Sequence, residues 1–421
     1  MKRTAAAAIF VFWLGYGIVS TYAQPIIGGF VEGTQAVRVD KNPALGDGAL
    51  DERSYPRSEV RAQLTGRHSG DREDLFIRVD VVSDATSTVE TDVDLREAYV
   101  KLRLADWLDV KAGRQVATWG TGDLIFANDL FAKDWLAFFT GMDIAYLKPP
   151  QDLLRVSMYT HGVTIEAAAS PHFTPDNLPG GTRLSVFNPF LRQTVAADQA
   201  PEIAVPSKRL ANGEVFGRIA GYQGSAEWAL YGYRGFWPTP QGATMAGMLY
   251  YPRLWSAGAS WRMPVGAILF HAEGAAYISE DDDNGTNPLI ANSQLRGFVG
   301  AQRSLGREWT ASVQYYAEFM LDHDAYLASL PSGAPAFDEV RSTVTGRLGK
   351  WMRQQTVYLS VFGYWGVTDE DWHLRPSVSY KVTDAVNWTV GASLVDGDQP
   401  HTMFGQFRDN SNVYTRLRFS F

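Results

Sequence analysis

Along most of the chain, apolar and polar residues alternate with a period of two. From Val413 one parity reads Val413, Thr415, Leu417, Phe419 and Phe421, and the other reads Tyr414, Arg416, Arg418 and Ser420. Successive side chains on a β-strand point to opposite faces, so this segment has an apolar face and a charged one. Trp309, Ala311, Val313 and Tyr315 set against Thr310, Ser312, Gln314 and Tyr316 repeat the pattern, as do residues 255–261. The alternation predicts strands near 30–40, 57–68, 72–83, 92–104, 108–118, 147–159, 163–170, 213–222 and 226–236. It continues near 253–263, 267–279, 293–304, 308–322, 340–350, 355–366, 374–382, 386–396 and 412–421. Eighteen strands result, or sixteen if one hairpin is miscounted. Their lengths centre near the ~9–11 residues that a tilted membrane-spanning strand needs.

The spacers sharpen this reading. After even-numbered strands they are tight, at 69–71, 105–107, 160–162, 223–225, 264–266, 305–307, 351–354 and 383–385. After odd-numbered strands they are mostly long, including 41–56, 119–146, 171–212, 237–252, 323–339 and 397–411. Short turns at one end and long loops at the other are the pattern of a transmembrane barrel. Closure also leaves no backbone N–H or C=O unpaired in lipid. Trp107, Trp261, Trp309, Tyr358, Trp372 and Trp388 lie near strand ends, where they suit interfacial girdles. The expected fold is all-β, a transmembrane antiparallel β-barrel of about 18 strands over residues 24–421. A barrel of that size encloses an aqueous channel, which makes transport the leading function.

Residues 1–23 read as a signal peptide, with Lys2 and Arg3 ahead of an apolar run from Ala5 to Val19 and a cleavage site at Thr21-Tyr22-Ala23. Export is expected, with Gln24 as the mature N-terminus. The 421-residue chain carries a net charge of −8, and losing the leader's two cations makes it more acidic. Such a balance excludes nucleic acid as a partner, since there is no basic excess to displace phosphate counterions. No later run reaches the roughly 18–20 apolar residues of a membrane helix. With no cysteine, disulfides, thiolate metal sites, thiol nucleophiles, a lipidated N-terminal cysteine and haem attached through C-x-x-C-H are excluded.

Two stretches carry a family likeness. The ending at Phe421 resembles the C-terminal strand signal of Gram-negative outer-membrane barrels. That resemblance implies outer-membrane lipid and the barrel-assembly machinery as partners. Residues 113–123 contain Gly113-Arg114-Gln115 followed by Trp119-Gly120. This G-R-Q-x-x-x-W-G is similar to a stretch of porin-like barrels of the alginate-export and related substrate-channel type, where it runs from a strand into a long inward loop. Strict alternation gives Arg114 the lipid-facing parity of Val110 and Val116, so a β-bulge would be needed to turn it inward.

Charge on the parity opposite the apolar one is uneven. The last five predicted strands turn Arg341, Arg347, Arg375, Lys381, Arg416 and Arg418 inward with no acid, among Thr343, Thr345, Ser360, Ser377, Ser379, Thr389 and Ser393. The middle strands turn Glu166, Glu214, Glu227, Glu273 and Glu318 inward, with Arg218 and Arg296 among them. A basic wall facing an acidic one sets a field across a pore and favours small anionic or zwitterionic solutes. The bland alternative is that these arginines pair with nearby carboxylates.

Two loops stand out. Residues 119–146 space Phe126, Leu130, Trp135, Phe138 and Phe139 at roughly helical intervals. The loop is expected to fold inward as a constriction, with Asp129, Lys133 and Asp134 facing the pore beside Trp135, or else to cap the rim. Residues 171–212, rich in Pro, Asn and Gly, read as an external lid. Catalysis finds little support. His271 and Glu273 read as a solvated lumen pair, and Asp322-His323-Asp324 faintly resembles the acid–His pairing of outer-membrane proteases. Glu280 to Gly285 lacks the spacing of a calcium loop, and nothing calls for a metal or cofactor. The expectation is a porin-like channel for passive diffusion. The alternatives are a barrel sleeve around a cytochrome or other periplasmic partner, and a surface receptor or adhesin.

Overall fold

The computed structural model describes residues 25–45, 54–87 and 91–421; the leader at 1–23 lies outside the described residues. The first nine strands are β1 (Ile26–Arg38), β2 (Arg57–Ser69), β3 (Glu73–Asp84), β4 (Thr91–Ala105), β5 (Leu108–Gln115), β6 (Gln151–Thr160), β7 (Val163–Ser170), β8 (Glu214–Gln223) and β9 (Ala226–Phe236). The second nine are β10 (Arg253–Val265), β11 (Ile268–Ser279), β12 (Gln294–Gly306), β13 (Trp309–Met320), β14 (Val340–Met352), β15 (Val357–Gly366), β16 (Asp371–Lys381), β17 (Val386–Gly397) and β18 (Asn412–Ser420). Each pairs antiparallel with its sequence neighbours. β1 then closes on β18, from Phe30 opposite Ser420 to Arg38 opposite Asn412. Beyond the last register pair, Gly29 and Phe421 exchange two backbone hydrogen bonds of 3.0 Å.

The alternation does the work expected of it. On β18, Val413, Leu417 and Phe419 are 43–54% exposed on the outside, whereas Asn412 and Tyr414 are buried inside. Tight turns join the strands at one end. His161 and Gly162, at φ 43° and 82°, supply the two positive values of a two-residue hairpin loop whose twist matches the strands. The Cβ-less Gly162 takes its value at no steric cost. Among the girdle candidates, Trp107, Trp261 and Trp388 stand 40–52% exposed. Tyr358 departs from expectation. It shares the inward parity of Ser360 and Phe362, and its ring lies 4.5 Å from that of Trp351.

β4 bulges at Arg96, where Arg78 pairs with Glu97 but Val79 pairs with Leu95. The extra residue leaves both Arg96 and Glu97 buried inside. It also determines the fate of Arg114, described below.

Candidate functional site

The loop between β5 and β6, residues 116–150, enters the barrel and crosses it as a strap. Its apolar residues explain why it leaves water. Trp119, Leu130 and Phe131 pack with Phe216, Tyr233 and Tyr277 of the wall. Across the lumen, Phe138 and Phe139 pack with Phe362, Tyr364 and Phe404. Each such side chain contributes about 1.5–3 kcal/mol by burial. A short helix, Trp135–Phe139, is started by Asp134, whose carboxylate accepts from the Ala137 N–H at 2.7 Å.

Polar side chains of the wall satisfy the strap's backbone, which a buried loop requires. Glu273 on β11 accepts from the Thr121 and Asn128 N–H groups and from the Asn128 amide at 3.0 Å. His271 meets the Thr121 carbonyl at 3.1 Å through Nδ1. Gln314 on β13 accepts from Asp123 N–H at 2.8 Å and donates to its carbonyl at 2.9 Å. Tyr277, Tyr364 and Asn412 donate to the carbonyls of Ala127, Leu124 and Phe139. His271 and Glu273 are therefore 8% and 6% exposed and hold the strap. They are not the solvated pair expected, because the inward loop replaces their water.

Asp129 and Lys133 are likewise turned away from solvent, at 5% and 3% exposed. Lys133 Nζ reaches Asp129 at 3.2 Å and the Phe131 carbonyl at 2.5 Å, while Thr118 donates to Asp129 at 2.7 Å. Asp134 is occupied as a helix cap, where burial raises its pKa, and Trp135 donates to Asp176 at 2.8 Å. Asp123 and Asp143 of the strap are instead partly exposed, each about a third. Asp123 pairs with Arg347 at 2.6 Å, and Asp143 pairs with Arg416 and Arg418 at 3.4 Å.

The basic wall lies inside the barrel, and most of it is matched. Besides those pairs, Arg341 meets Asp369 at 2.9 Å and Glu318 at 3.7 Å. Arg418 meets Glu32 at 2.8 Å. Lys381 meets Asp384 at the turn end, at 2.9 Å. Arg375 differs: among the described residues it has no carboxylate within salt-bridge distance, and it lies over the Phe138 ring at 4.1 Å. Its Nε has no hydrogen-bond partner among the described residues. Arg347 lies over Phe362 and Arg418 over Phe30 at 4.6 and 4.1 Å, so rings fix several guanidinium planes.

The 113–123 stretch builds the root of the strap. Gly113 adopts φ 124° with Ala98 and Tyr99 backbone against it. Gln115, fully buried, donates to the Leu153 carbonyl at 3.0 Å. Trp119 anchors the first aromatic cluster, and Gly120 at φ 84° passes under Glu273. Arg114 stays on the outer parity. The bulge belongs to β4, so it turns Arg96 inward instead and exposes the Leu95 carbonyl, to which Arg114 donates at 2.6 Å.

Two features escaped the sequence reading, and a third took another course. Arg57, Glu59, Arg61 and Asp80 form a buried ion network on β2 and β3, with pairs of 2.5–2.7 Å. It receives Tyr146 of the strap on Asp80 at 2.8 Å; charges at every second position from 57 to 61 were its signal. The 171–213 loop carries a hairpin, Val186–Asn188 with Gln193–Val195, and packs Leu184, Val186 and Val195 on Phe138 and Phe139. It is thus fastened to the strap, which a composition-based lid could not show. Asp322-His323-Asp324 begins a helix, and His323 Nε2 meets the Phe337 carbonyl at 2.9 Å, not an acid.

No protein-family model matches the chain, and neither does any curated protein. Among solved structures, it is similar to Acinetobacter baumannii OccAB3, at 9% identity and TM-score 0.58, covering 94% of this chain and 99% of that one. It is also similar to Acinetobacter baumannii OccAB4, at 9% and 0.56, covering 94% and 98%. Pseudomonas aeruginosa OccD3 (OpdP) matches at 10% and 0.54, covering 94% and 91%. At such identities the likeness is one of fold, and the chain has the closed eighteen-stranded architecture of outer-membrane porins.

Proposed function

We propose that this protein is an outer-membrane channel through which small solutes diffuse passively, with a preference for anions. The observation that carries the reading is the strap. It holds Asp123 and Asp143 against the basic wall at Arg347, Arg416 and Arg418, so partly exposed charges of opposite sign face each other inside a closed barrel. A transverse field of this kind orients dipolar solutes, and the low-dielectric wall strengthens it. The anion preference rests on Arg375, a wall cation with no carboxylate within salt-bridge distance among the described residues.

His323 and His271 are each engaged by a backbone carbonyl, of Phe337 and Thr121. A sleeve around a cytochrome would need the space that the strap fills with Phe131, Phe138 and Phe139. Kinship with alginate-export channels rests on the 113–123 stretch alone. On this reading the turn end faces the periplasm, lipid covers the outer apolar residues, and Phe421 is the handle for the assembly machinery. Reversal potentials of the reconstituted barrel under a potassium chloride gradient test the proposal. A chloride-selective open channel supports it, and a cation-selective channel removes the anion preference.

A further inference from the structure

Asp176, in the loop after β7, lies where that loop touches the strap. Its carboxylate accepts from the Lys133 N–H through Oδ1 and from the Trp135 indole N–H through Oδ2, both at 2.8 Å. Beside it, Asn177 donates to the Lys133 carbonyl at 2.8 Å and accepts from the Trp135 and Leu136 N–H groups. Asp176 N–H itself is held by the Pro238 carbonyl at 2.9 Å. One residue pair therefore joins three loops over the barrel mouth.

What sets Asp176 apart is that it is 7% exposed and forms no ion pair among the described residues. Lys133, whose charge acts on it, has its Nζ engaged by Asp129 and by the carbonyls of Asp129 and Phe131. The other titratable groups around it do not supply a positive charge. They are Asp129 and Asp134 of the strap, Glu214 on β8, Tyr233 on β9 and Tyr251 in the loop after β9. Glu214 clasps the same loop by accepting from the Thr174 N–H at 3.1 Å.

We propose that Asp176 is a proton-sensitive clasp that fastens the 171–182 segment to the constriction strap, tight in mild acid and looser at neutral pH. Burial disfavours the carboxylate and outweighs the Lys133 charge and the two donated hydrogen bonds, raising the Asp176 pKa to about 6. In an undocked, hydrated loop it would return to the ordinary aspartate value of about 3.9. The docked form therefore holds the extra proton. Docking is strongest below about pH 4 and weakens as pH rises to about 6, by about hundredfold in the docking equilibrium across that window, with no further change above it.

The chain has no cysteine, so introduced thiols are the sole labelling sites. Gly180, exposed with open space where its Cβ would stand, and Val367 in the short loop after β15 are suitable positions. Spin labels on Gly180→Cys and Val367→Cys in the refolded barrel report the distance between segment and rim. One narrow distribution at pH 4.5 that broadens or splits at pH 8, with the change complete by about pH 6 and none above it, is expected. Adding Asp176→Asn should remove the pH dependence, with heat-modifiable gel mobility confirming that this variant folds. A distribution unchanged from pH 4.5 to 8 in the Asp176-containing protein overturns the clasp. A pH response that survives Asp176→Asn overturns it as well, whatever the channel's ion selectivity.

Discussion

Arg347 on β14 and Asp123 on the strap meet through two hydrogen bonds, Nε to Oδ2 at 2.6 Å and Nη2 to Oδ1 at 2.8 Å. The residues are 224 positions apart in sequence, and the contact joins the basic wall to the loop that narrows the lumen. Both side chains are about a third exposed, so the pair faces water. It contributes little to stability, about 1 kcal/mol or less.

Its influence should appear in selectivity. Asp123→Asn removes the negative charge and leaves Arg347 facing the lumen. The expected result is a rise in the chloride-to-potassium permeability ratio of about twofold or more, with heat stability nearly unchanged. Reversal potentials of the variant and the parent, at equal salt, measure it.

Glu273 is the opposite case. It is buried, and three donors of the strap converge on it. Glu273→Ala leaves those donors without a partner, at about 1–3 kcal/mol each where water cannot reach them. The strap should lift from β11 while the barrel stays closed. Single-channel recordings should show larger, noisier currents, and Glu273→Gln, which keeps an acceptor, should lie between.

Gly141 tests the far end of the strap. It sits at φ 77°, and a Cβ there would overlap the Tyr414 ring on β18. Gly141→Ala combines a left-handed backbone with that overlap, at a cost of about 1–2 kcal/mol from the backbone alone. Asp143, two residues on, should lose its hold on Arg416 and Arg418. Channel noise should increase, with unchanged migration of the folded barrel on gels.

The eighteen strands were legible because a half-wet, half-lipid strand writes its two faces directly into alternate residues. The apolar character of residues 119–146 was legible too, in Phe126, Leu130, Trp135, Phe138 and Phe139, but the choice between folding inward and capping the rim was not. Partners across the lumen were not legible. Asp123 faces Arg347, and Asp143 faces Arg416 and Arg418, only because the strap takes one particular path, and that path follows from wall acceptors such as Glu273 and Gln314. Arg114 shows a second limit. Parity gave its outward direction correctly, but the bulge that determines its partner sits on β4, at Arg96, where alternation breaks by one residue.

Phe421 is expected to matter for assembly more than for the folded barrel. It shares two backbone hydrogen bonds with Gly29 at the seam, worth about 1–3 kcal/mol together. Deleting it should reduce the amount of barrel in the outer membrane, yet leave refolding in detergent intact. Equal amounts in the membrane would contradict its role as a handle.

The most direct test of the channel is the single-channel current of the refolded barrel in a planar bilayer under a salt gradient. Stable open steps with a reversal potential on the chloride side are the predicted result. A barrel that inserts but carries no current would contradict the channel, and potassium-selective steps would contradict the part assigned to the basic wall.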